Sequence, residues 1–186
     1  MDDCKIVDLY WARSESAIAE TSSKYSKYCT YISYNILRNK EDADECVNDT
    51  YLCAWKAMPP QRPSLLSTFL GKITRNLSLN KYKHYTAEKR GAGQIEIALS
   101  ELENCIPSNT NIEQTTDEIL LVEVINNFVS ALPKESRIVF VRRYWYLSEI
   151  KEIAEQYGMS ESKVKSILFR TRNRLKLYLE KEGIIL

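Results

Sequence analysis

The sequence is poor in the features that build membrane spans, disulfide frameworks and metal sites. No apolar run approaches the roughly 20 residues that cross a bilayer, and the N-terminus lacks a basic-then-apolar signal layout. The five cysteines are an odd number without close pairing, which argues against a disulfide framework. His84 is the only histidine, so a zinc site is not expected. We expect a cytoplasmic protein without membrane insertion, bound metal or other cofactor.

Catalytic signatures and strand patterns are also missing. The sequence has no recognisable nucleophile–base pairing and no glycine-rich phosphate loop, so we assign no catalytic residue and expect no enzyme. Apolar residues recur at helical spacing, without the alternation of a strand. Glycines interrupt this pattern at residues 91–93. The sequence predicts an all-α fold of two small helical domains, residues 1–90 and 118–186, joined by an acidic linker over residues 91–117 with one short helix near residues 95–102.

The net charge of +1 hides an uneven layout along the chain. Residues 72–90 carry six basic residues against one acid, and residues 160–176 carry six against one. Between them, residues 95–123 hold seven acids and no lysine or arginine. Two basic segments separated by an acidic segment suit a protein that binds a polyanion.

The second basic segment has the layout of a helix-turn-helix. Ser148 is the predicted N-cap of a short amphipathic helix. Gly158 suits the left-handed conformation that ends a helix, and Ser160 suits the N-cap of the next one. In such a motif the second helix enters the major groove of DNA. With two preceding helices, this motif completes a predicted four-helix C-terminal domain.

The helix that follows Ser160 is predicted to have two different faces. At about 100° per residue, one face collects apolar side chains that pack on a core. The opposite face collects groups that contact DNA phosphates and base edges, namely Lys163, Lys165, Ser166, Phe169, Arg170 and Asn173. The alternative is an ordinary helical hairpin whose basic face is solvated.

A helix predicted over residues 42–58 carries a second notable surface. Its predicted inner face consists of Ala43, Val47, Thr50, Tyr51, Ala54 and Met58. Its outer face is mostly acidic and includes Leu52 beside Glu45 and Asp49. A leucine within an acidic face is either an interface anchor or an isolated surface leucine, and the pattern leaves both open.

Three prolines in residues 59–64 end that helix and stiffen the loop after it. Such a loop either holds a ligand in a fixed pose or only connects two helices. The next helix is predicted to bury Leu66, Phe69, Leu70, Ile73 and Leu77. Arg75, Ser78 and Tyr82 are predicted on its opposite face, with Lys72 and Lys83 to one side. Cations interleaved with an aromatic ring suit melted nucleic acid, and solvated charge is the alternative.

Three segments resemble bacterial RNA polymerase sigma factors of the sigma-70 family. Residues 42–55 (DADECVNDTYLCAW) resemble the second conserved region, and residues 69–79 (FLGKITRNLSL) resemble its continuation. Residues 131–175 resemble the fourth region, which Leu132-Pro133 opens. The short chain, without a third domain between these segments, looks like the compact extracytoplasmic-function (ECF) subfamily.

The resemblance implies a non-enzymatic subunit that binds core RNA polymerase and promoter DNA. On that model, Glu45, Asp49 and Leu52 contact the polymerase clamp helices, and Leu52 becomes an interface anchor. Exposed apolar groups around residues 138–145 grip the polymerase flap. The acidic linker threads toward the RNA exit path.

The resemblance also divides the DNA contacts between two promoter elements. Arg62 and Ser64 would touch a flipped base of the minus-ten element or its phosphate. The strand would be held by Lys72, Arg75, Asn76 and Lys83. The outer face of the helix after Ser160 would recognise the minus-thirty-five element.

Two other functions fit parts of the sequence. A stand-alone helix-turn-helix regulator that never binds polymerase explains the C-terminal half, but leaves the proline loop and the first basic segment unexplained. A helical adaptor without DNA function is the second alternative, and its DNA binding would depend little on salt. The sequence does not decide whether the protein also binds an anti-sigma factor.

Overall fold

A computed structural model describes residues 1–88, 94–103 and 115–182. These residues form helices and no strand, which confirms the predicted all-α class. The chain divides into two compact units, Met1–Gly91 and Ala92–Leu186. The helices are α1 (Asp3–Trp11), α2 (Ser16–Leu37), α3 (Lys40–Ala57), α4 (Leu66–Glu88), α5 (Gln94–Glu103), α6 (Thr115–Ala131), α7 (Lys134–Tyr144), α8 (Ile150–Tyr157) and α9 (Glu161–Lys181).

The first unit is built from α2, α3 and α4, which pack on one another, with α1 lying against α2. The predicted inner face of α3 is confirmed, because all six of its residues are buried. Asn39 caps the N-terminus of α3, where its side-chain oxygen accepts a hydrogen bond from the Asp42 backbone N–H at 3.0 Å. The core of the unit also takes apolar residues from α1, namely Ile6, Val7 and Tyr10.

The buried face of α4 differs from the predicted one. Leu66, Leu70, Thr74 and Ser78 are fully buried, so Ser78 does not lie on the outer face. Its hydroxyl oxygen lies 2.8 Å from Ser33 Oγ, and Thr50 Oγ1 lies 3.1 Å from Thr74 Oγ1. These hydroxyls also bond to carbonyls one turn earlier in their own helices, so burial leaves them satisfied.

Small residues on this face let α4 approach α2 closely. A Cβ added at Gly71 would lie 2.5 Å from the Tyr28 hydroxyl oxygen, which is closer than van der Waals contact allows. Glycine is therefore the residue that fits this helix contact.

The second unit has a core formed by α6, α7, α8 and α9. The helix α5 also belongs to this unit, since it contacts α7 and buries Ile95 and Ala98, while Leu102 packs against the core. Residues 94–103 of the predicted linker are therefore part of the second unit. The other linker residues lie outside the described ranges.

The helix-turn-helix is formed by α8, a turn at Gly158 and α9. Gly158 ends α8 with a φ of 62°, and Ser160 caps α9 by accepting a hydrogen bond from the Lys163 backbone N–H at 3.2 Å, as predicted. Ser148 does not cap α8. The N-cap is Glu149, which forms a reciprocal capping box with Glu152. Ser148 is buried one residue earlier.

Candidate functional site

The outer face of α9 is exposed to solvent because the apolar side chains of the opposite face are buried in the core. Val164, Ile167, Leu168 and Leu175 are buried in the core of the second unit. On the other side, Lys163, Lys165, Phe169, Arg170 and Asn173 are exposed and Ser166 is partly exposed. Phe169 leaves 58% of its surface accessible, so its ring is available to a ligand on this face.

The cations on α9 differ in their engagement. Lys163 Nζ pairs with Glu135 Oε1 of α7 at 2.6 Å, and Lys165 Nζ pairs more loosely with Glu161 Oε2 at 3.7 Å. No ion pair engages Arg170 among the residues that the structure describes. Both lysine pairs are exposed and are therefore weak in water. Arg170, with a planar fork of donors, is the cation best prepared for a guanine edge or a phosphate.

The outer face of α3 brings Glu45, Asp49 and Leu52 together as exposed neighbours. Leu52 is 48% exposed and borders an open groove of about 700 Å³ between α2 and α3. Apolar groups from Ile18, Tyr51 and Trp55 also line this groove. The exposed Leu52 side chain can insert into a partner, and the apolar groove beside it can accept an apolar side chain from that partner. Sequence reasoning missed the groove, because half of its lining comes from α2.

Glu45 is not a free carboxylate. Its Oε2 accepts a hydrogen bond from Lys81 Nζ of α4 at 2.6 Å, and Lys81 also pairs with Asp42 at 2.9 Å. Burial by itself lowers the pKa of Lys81, but the hydrogen bonds to the two carboxylates outweigh it and raise the pKa. This bridge ties α3 to α4 and engages one lysine of the basic segment 72–90.

The proline loop lies against the N-terminal helix. Arg62 and Ser64 are exposed and line a cleft of about 220 Å³ together with Asp3, Cys4 and Val7 of α1. The Arg62 guanidinium forms an ion pair with Asp8 and lies over the Trp11 ring at 5.5 Å. Neither Asp8 nor Trp11 was among the predicted site residues, since only the fold brings α1 to this loop.

Three predicted strand-binding residues of α4 share one exposed face. Lys72, Asn76 and Lys83 are exposed and lie within about 40° of one another around the helix. Arg75 departs from the prediction of an outward-facing cation. It is partly buried, and burial lowers the pKa of its guanidinium. It therefore lies at the edge of this face.

The apolar groups around residues 138–145 are less accessible than predicted. Val139, Phe140 and Tyr144 are buried in the core of the second unit, and Ile138 and Trp145 are only partly exposed. In this region the exposed apolar surface expected for a flap contact is therefore small. Phe140 packs edge-on against Tyr144 within this core, at 4.7 Å between ring centroids.

The described residues contain no cluster of histidine, cysteine or acidic side chains arranged to hold a metal ion. Over the same residues, no helix combines the length and apolar character of a membrane span. What the structure offers instead is a set of exposed helical faces. A helix-turn-helix with a basic, aromatic outer face defines the class of helix-turn-helix DNA-binding proteins.

Comparison with known families narrows this class. Residues 23–88 match the model for Sigma-70 region 2, and residues 123–175 match the model for Sigma-70 region 4. These two matches follow the order of the two structural units and together span well over half of the chain. The chain belongs to the sigma-70 family, as a sigma factor of the extracytoplasmic-function type.

Curated relatives carry the same description. The chain is 23% identical over 152 residues to the ECF RNA polymerase sigma factor SigE of Mycolicibacterium smegmatis, a match that covers 82% of this chain and 57% of the relative. It is 24% identical over 144 residues to the ECF RNA polymerase sigma factor SigM of Bacillus subtilis, covering 76% and 82%. It is 25% identical over 147 residues to a probable RNA polymerase sigma factor, RfaY, of Xanthomonas campestris, covering 77% and 35%. The chain thus spans less than two thirds of the length of two of these relatives.

Proposed function

We propose that this protein binds core RNA polymerase and directs it to promoters, where it recognises the minus-thirty-five and minus-ten elements and helps to open the duplex. The observation that carries the proposal is the order of two family regions on one chain, each with an exposed face of suitable chemistry. The protein acts by binding, as a cytoplasmic subunit without a catalytic residue of its own. An anti-sigma partner remains compatible with the proposal.

The polymerase contact is proposed on the outer face of α3. Leu52 would insert between the clamp helices, while an apolar side chain of the clamp would enter the groove beside Tyr51 and Trp55. Asp49 would pair with basic groups at the rim. Glu45 would contribute less than Asp49, because Lys81 already neutralises it. An apolar centre with a charged rim concentrates binding energy at the leucine.

The minus-ten contact is proposed on the proline loop and α4. Arg62 and Ser64 would hold a base taken out of the stack, or its phosphate, beside the cleft. Lys72, Asn76 and Lys83 would track the backbone of the melted strand, with Arg75 at the edge of this path. Flipping a base costs a few kcal/mol, which contacts of this kind must offset.

The minus-thirty-five contact is proposed on α9. Arg170 would bond a guanine edge or a phosphate, Phe169 would pack on a thymine methyl, and Lys163 and Lys165 would exchange their weak ion pairs for phosphates. Ser166 and Asn173 would add hydrogen bonds. Because several cations would contact phosphates, we expect the affinity for DNA to fall steeply as the salt concentration rises.

The proposal includes two further contacts with polymerase. The second unit would contact the flap, and residues 91–117 would lie along the RNA exit path. The small exposed apolar surface around Ile138 and Trp145 favours a modest flap contact. The acidic residues of this segment, among them Glu96, Glu101 and Glu103, would occupy a basic channel.

The test is in vitro transcription with purified core polymerase on a promoter library. The proposal expects start-site selection that core alone does not show, and co-purification of the two proteins. A Leu177→Asp variant, which replaces a more exposed leucine of α9, serves as a control for the Leu52→Asp variant in the co-purification. DNA binding without any association with core polymerase would instead identify a stand-alone helix-turn-helix regulator.

A further inference from the structure

The N-terminal helix α1 is tied to the proline loop by three different contacts. The Arg62 guanidinium pairs with the Asp8 carboxylate, and the same guanidinium lies 5.5 Å from the centre of the Trp11 ring. The Trp11 indole N–H donates to the Gln61 carbonyl at 3.3 Å. The last two turns of α1 therefore hold both Gln61 and Arg62.

A fourth contact fixes the other side of the same junction. Arg13, just after α1, donates through Nη1 to the Trp55 carbonyl at 2.7 Å, and its guanidinium lies 5.3 Å from the Trp55 ring centre. Trp55 is in the last turn of α3, immediately before the loop. The end of α1 thus bridges the helix that precedes the loop and the loop itself.

The ion pair leaves part of the Arg62 guanidinium available. Asp8 engages Nη2, and within the described residues no hydrogen bond involves Nη1 or Nε of Arg62. A guanidinium that is paired through one nitrogen and lies beside an aromatic ring has fewer orientations than a free one, and its other donors can bond a second group. Arg62 is therefore prepared to bond a ligand without releasing Asp8.

The same helix supplies a wall of the cleft beside the loop. Asp3, Cys4 and Val7 of α1 face Arg62, Pro63 and Ser64 across about 220 Å³. Residues 23–88 match region 2, so α1 lies outside the matched region. Nothing in the family match accounts for the contacts that α1 makes.

We propose that α1 is a positioning element for minus-ten recognition, in which Asp8 and Trp11 hold the Arg62 guanidinium so that its remaining donors bond the melted strand. This inference rests on the proposed function. Asp8 and Trp11 are positioning residues, because they act through Arg62 and not on the DNA. They set the discrimination at the minus-ten element, while recognition at the minus-thirty-five element is independent of them.

The decisive experiment is selection by reconstituted holoenzyme from a DNA library randomised at the minus-ten element. Asp8→Asn and Trp11→Ala should each reduce minus-ten discrimination about twofold to fivefold, the size expected for one exposed ion pair or one cation–π contact on a DNA-binding group. Asp8→Glu should restore most of the discrimination. Asp2→Asn, an exposed acid at the start of the same helix, is the matched control and should behave as wild type. Wild-type discrimination in both Asp8→Asn and Trp11→Ala overturns the proposal.

A charge exchange separates positioning of a DNA contact from simple attachment of the loop. The double variant Asp8→Arg with Arg62→Asp restores an ion pair between α1 and the loop but places a carboxylate where the proposal needs a cation. We expect it to stay as defective as Arg62→Ala. Full recovery in the exchange variant would show that the pair only attaches the loop, and would overturn the proposal.

Cys4 gives an independent readout, because its exposed thiol lines the cleft. Single-stranded minus-ten oligonucleotide bound to holoenzyme should slow alkylation of Cys4, measured by mass spectrometry, with Cys53 as the internal reference. Unchanged alkylation of Cys4 would place the strand elsewhere and overturn the proposal. These outcomes are distinct from failure of the proposed function, in which wild-type protein would not support transcription from any library member.

Discussion

Glu101 of α5 carries a prediction about the stability of the second unit. Its Oε1 lies 3.7 Å from Arg143 Nη2, and its Oε2 accepts hydrogen bonds from Arg172 Nη1 at 3.2 Å and from the Tyr144 hydroxyl at 3.1 Å. Burial is the largest cause that raises the pKa of Tyr144 to about 12, so the hydroxyl keeps its proton and stays a donor. The Glu101 carboxylate therefore compensates the positive charges of Arg143 in α7 and Arg172 in α9.

The magnitude of this compensation follows from the burial of Arg143. Arg143 is 1% exposed, and within the described part of the chain its Nε and Nη2 have no hydrogen-bond partner. Removing one partner of a fully buried ion pair costs about 3–5 kcal/mol. The Glu101 side chain is 23% exposed, so solvent screens part of the interaction. We expect Glu101→Gln to lower the free energy of unfolding of the second unit by about 1–3 kcal/mol.

The assay is urea unfolding of the full chain, followed through Trp145 fluorescence in a variant that carries Trp11→Phe and Trp55→Phe. Trp145 then reports on the second unit alone, since the other two tryptophans lie in the first. The matched control is Glu155→Gln, which removes an exposed ion pair with Lys151 in the same unit. That control should cost no more than about 0.5 kcal/mol.

Equal effects of Glu101→Gln and Glu155→Gln would refute the reasoning. Such a result would mean that water, and not Glu101, compensates the Arg143 charge, and that α5 is not held by this carboxylate.

Four further predictions concern the binding faces and the two units. Leu52→Asp should weaken binding to core polymerase by at least about 2 kcal/mol, as expected for an interface anchor, and leave helical circular dichroism unchanged. Arg170→Ala should cost about 1–3 kcal/mol of discrimination at one minus-thirty-five position, measured by competition binding, if Arg170 bonds a base edge. Gly158→Ala should destabilise the second unit by about 1 kcal/mol in urea unfolding, because φ is 62° there and an added Cβ meets no other atom. The hydrogen bond from Lys81 is the main cause that lowers the pKa of Asp42 below 3.8, so Asp42 stabilises the fold above that pH and loses this effect as the pH falls. The urea midpoints of wild type and Asp42→Asn should therefore differ near neutral pH and converge in acid.

Each of these four has a control. Leu177→Asp should retain core binding, and equal loss in both leucine variants would place the interface elsewhere. Lys151→Ala should leave promoter discrimination unchanged, whereas a uniform loss on all sequences with Arg170→Ala would assign Arg170 to a phosphate. Gly158→Asn should be milder than alanine, because asparagine tolerates the left-handed conformation. Asp44→Asn, which replaces an exposed acid of the same helix, is the matched control for Asp42→Asn. An Asp42→Asn profile parallel to that of wild type would contradict the pKa argument.

The sequence predicted best where several local signals agreed. The two faces of α9, the glycine turn and the Ser160 cap are all encoded within a few residues of one another, and the structure has them as expected. The buried face of α4 was predicted less well, because burial of Thr74 and Ser78 depends on hydroxyl partners in α2 and α3 that periodicity does not contain. Small polar residues suit an exposed face and a close helix contact equally well.

The other differences between the predicted and the observed structure arise from contacts between residues that are far apart in the sequence. The acidic residues near α5 indicated a linker, yet Glu101 is drawn to the second unit by arginines about 40 and 70 residues later in the chain. Likewise, only the packed structure shows Asp8 and Trp11 beside Arg62. The predicted DNA-contact and polymerase-contact residues remain predictions, and their exposure is compatible with the proposed contacts.

The glycine at position 71 constrains how this protein can diverge. Any side chain there would meet the end of the Tyr28 ring, so either that ring or the helix that carries Lys72 would have to shift. In the proline loop, Gln61 and Arg62 are held by α1, whereas Ser64 is exposed. We therefore expect substitutions at Ser64 to be accommodated more readily than substitutions at Gly71, where the contact between α4 and Tyr28 would have to change.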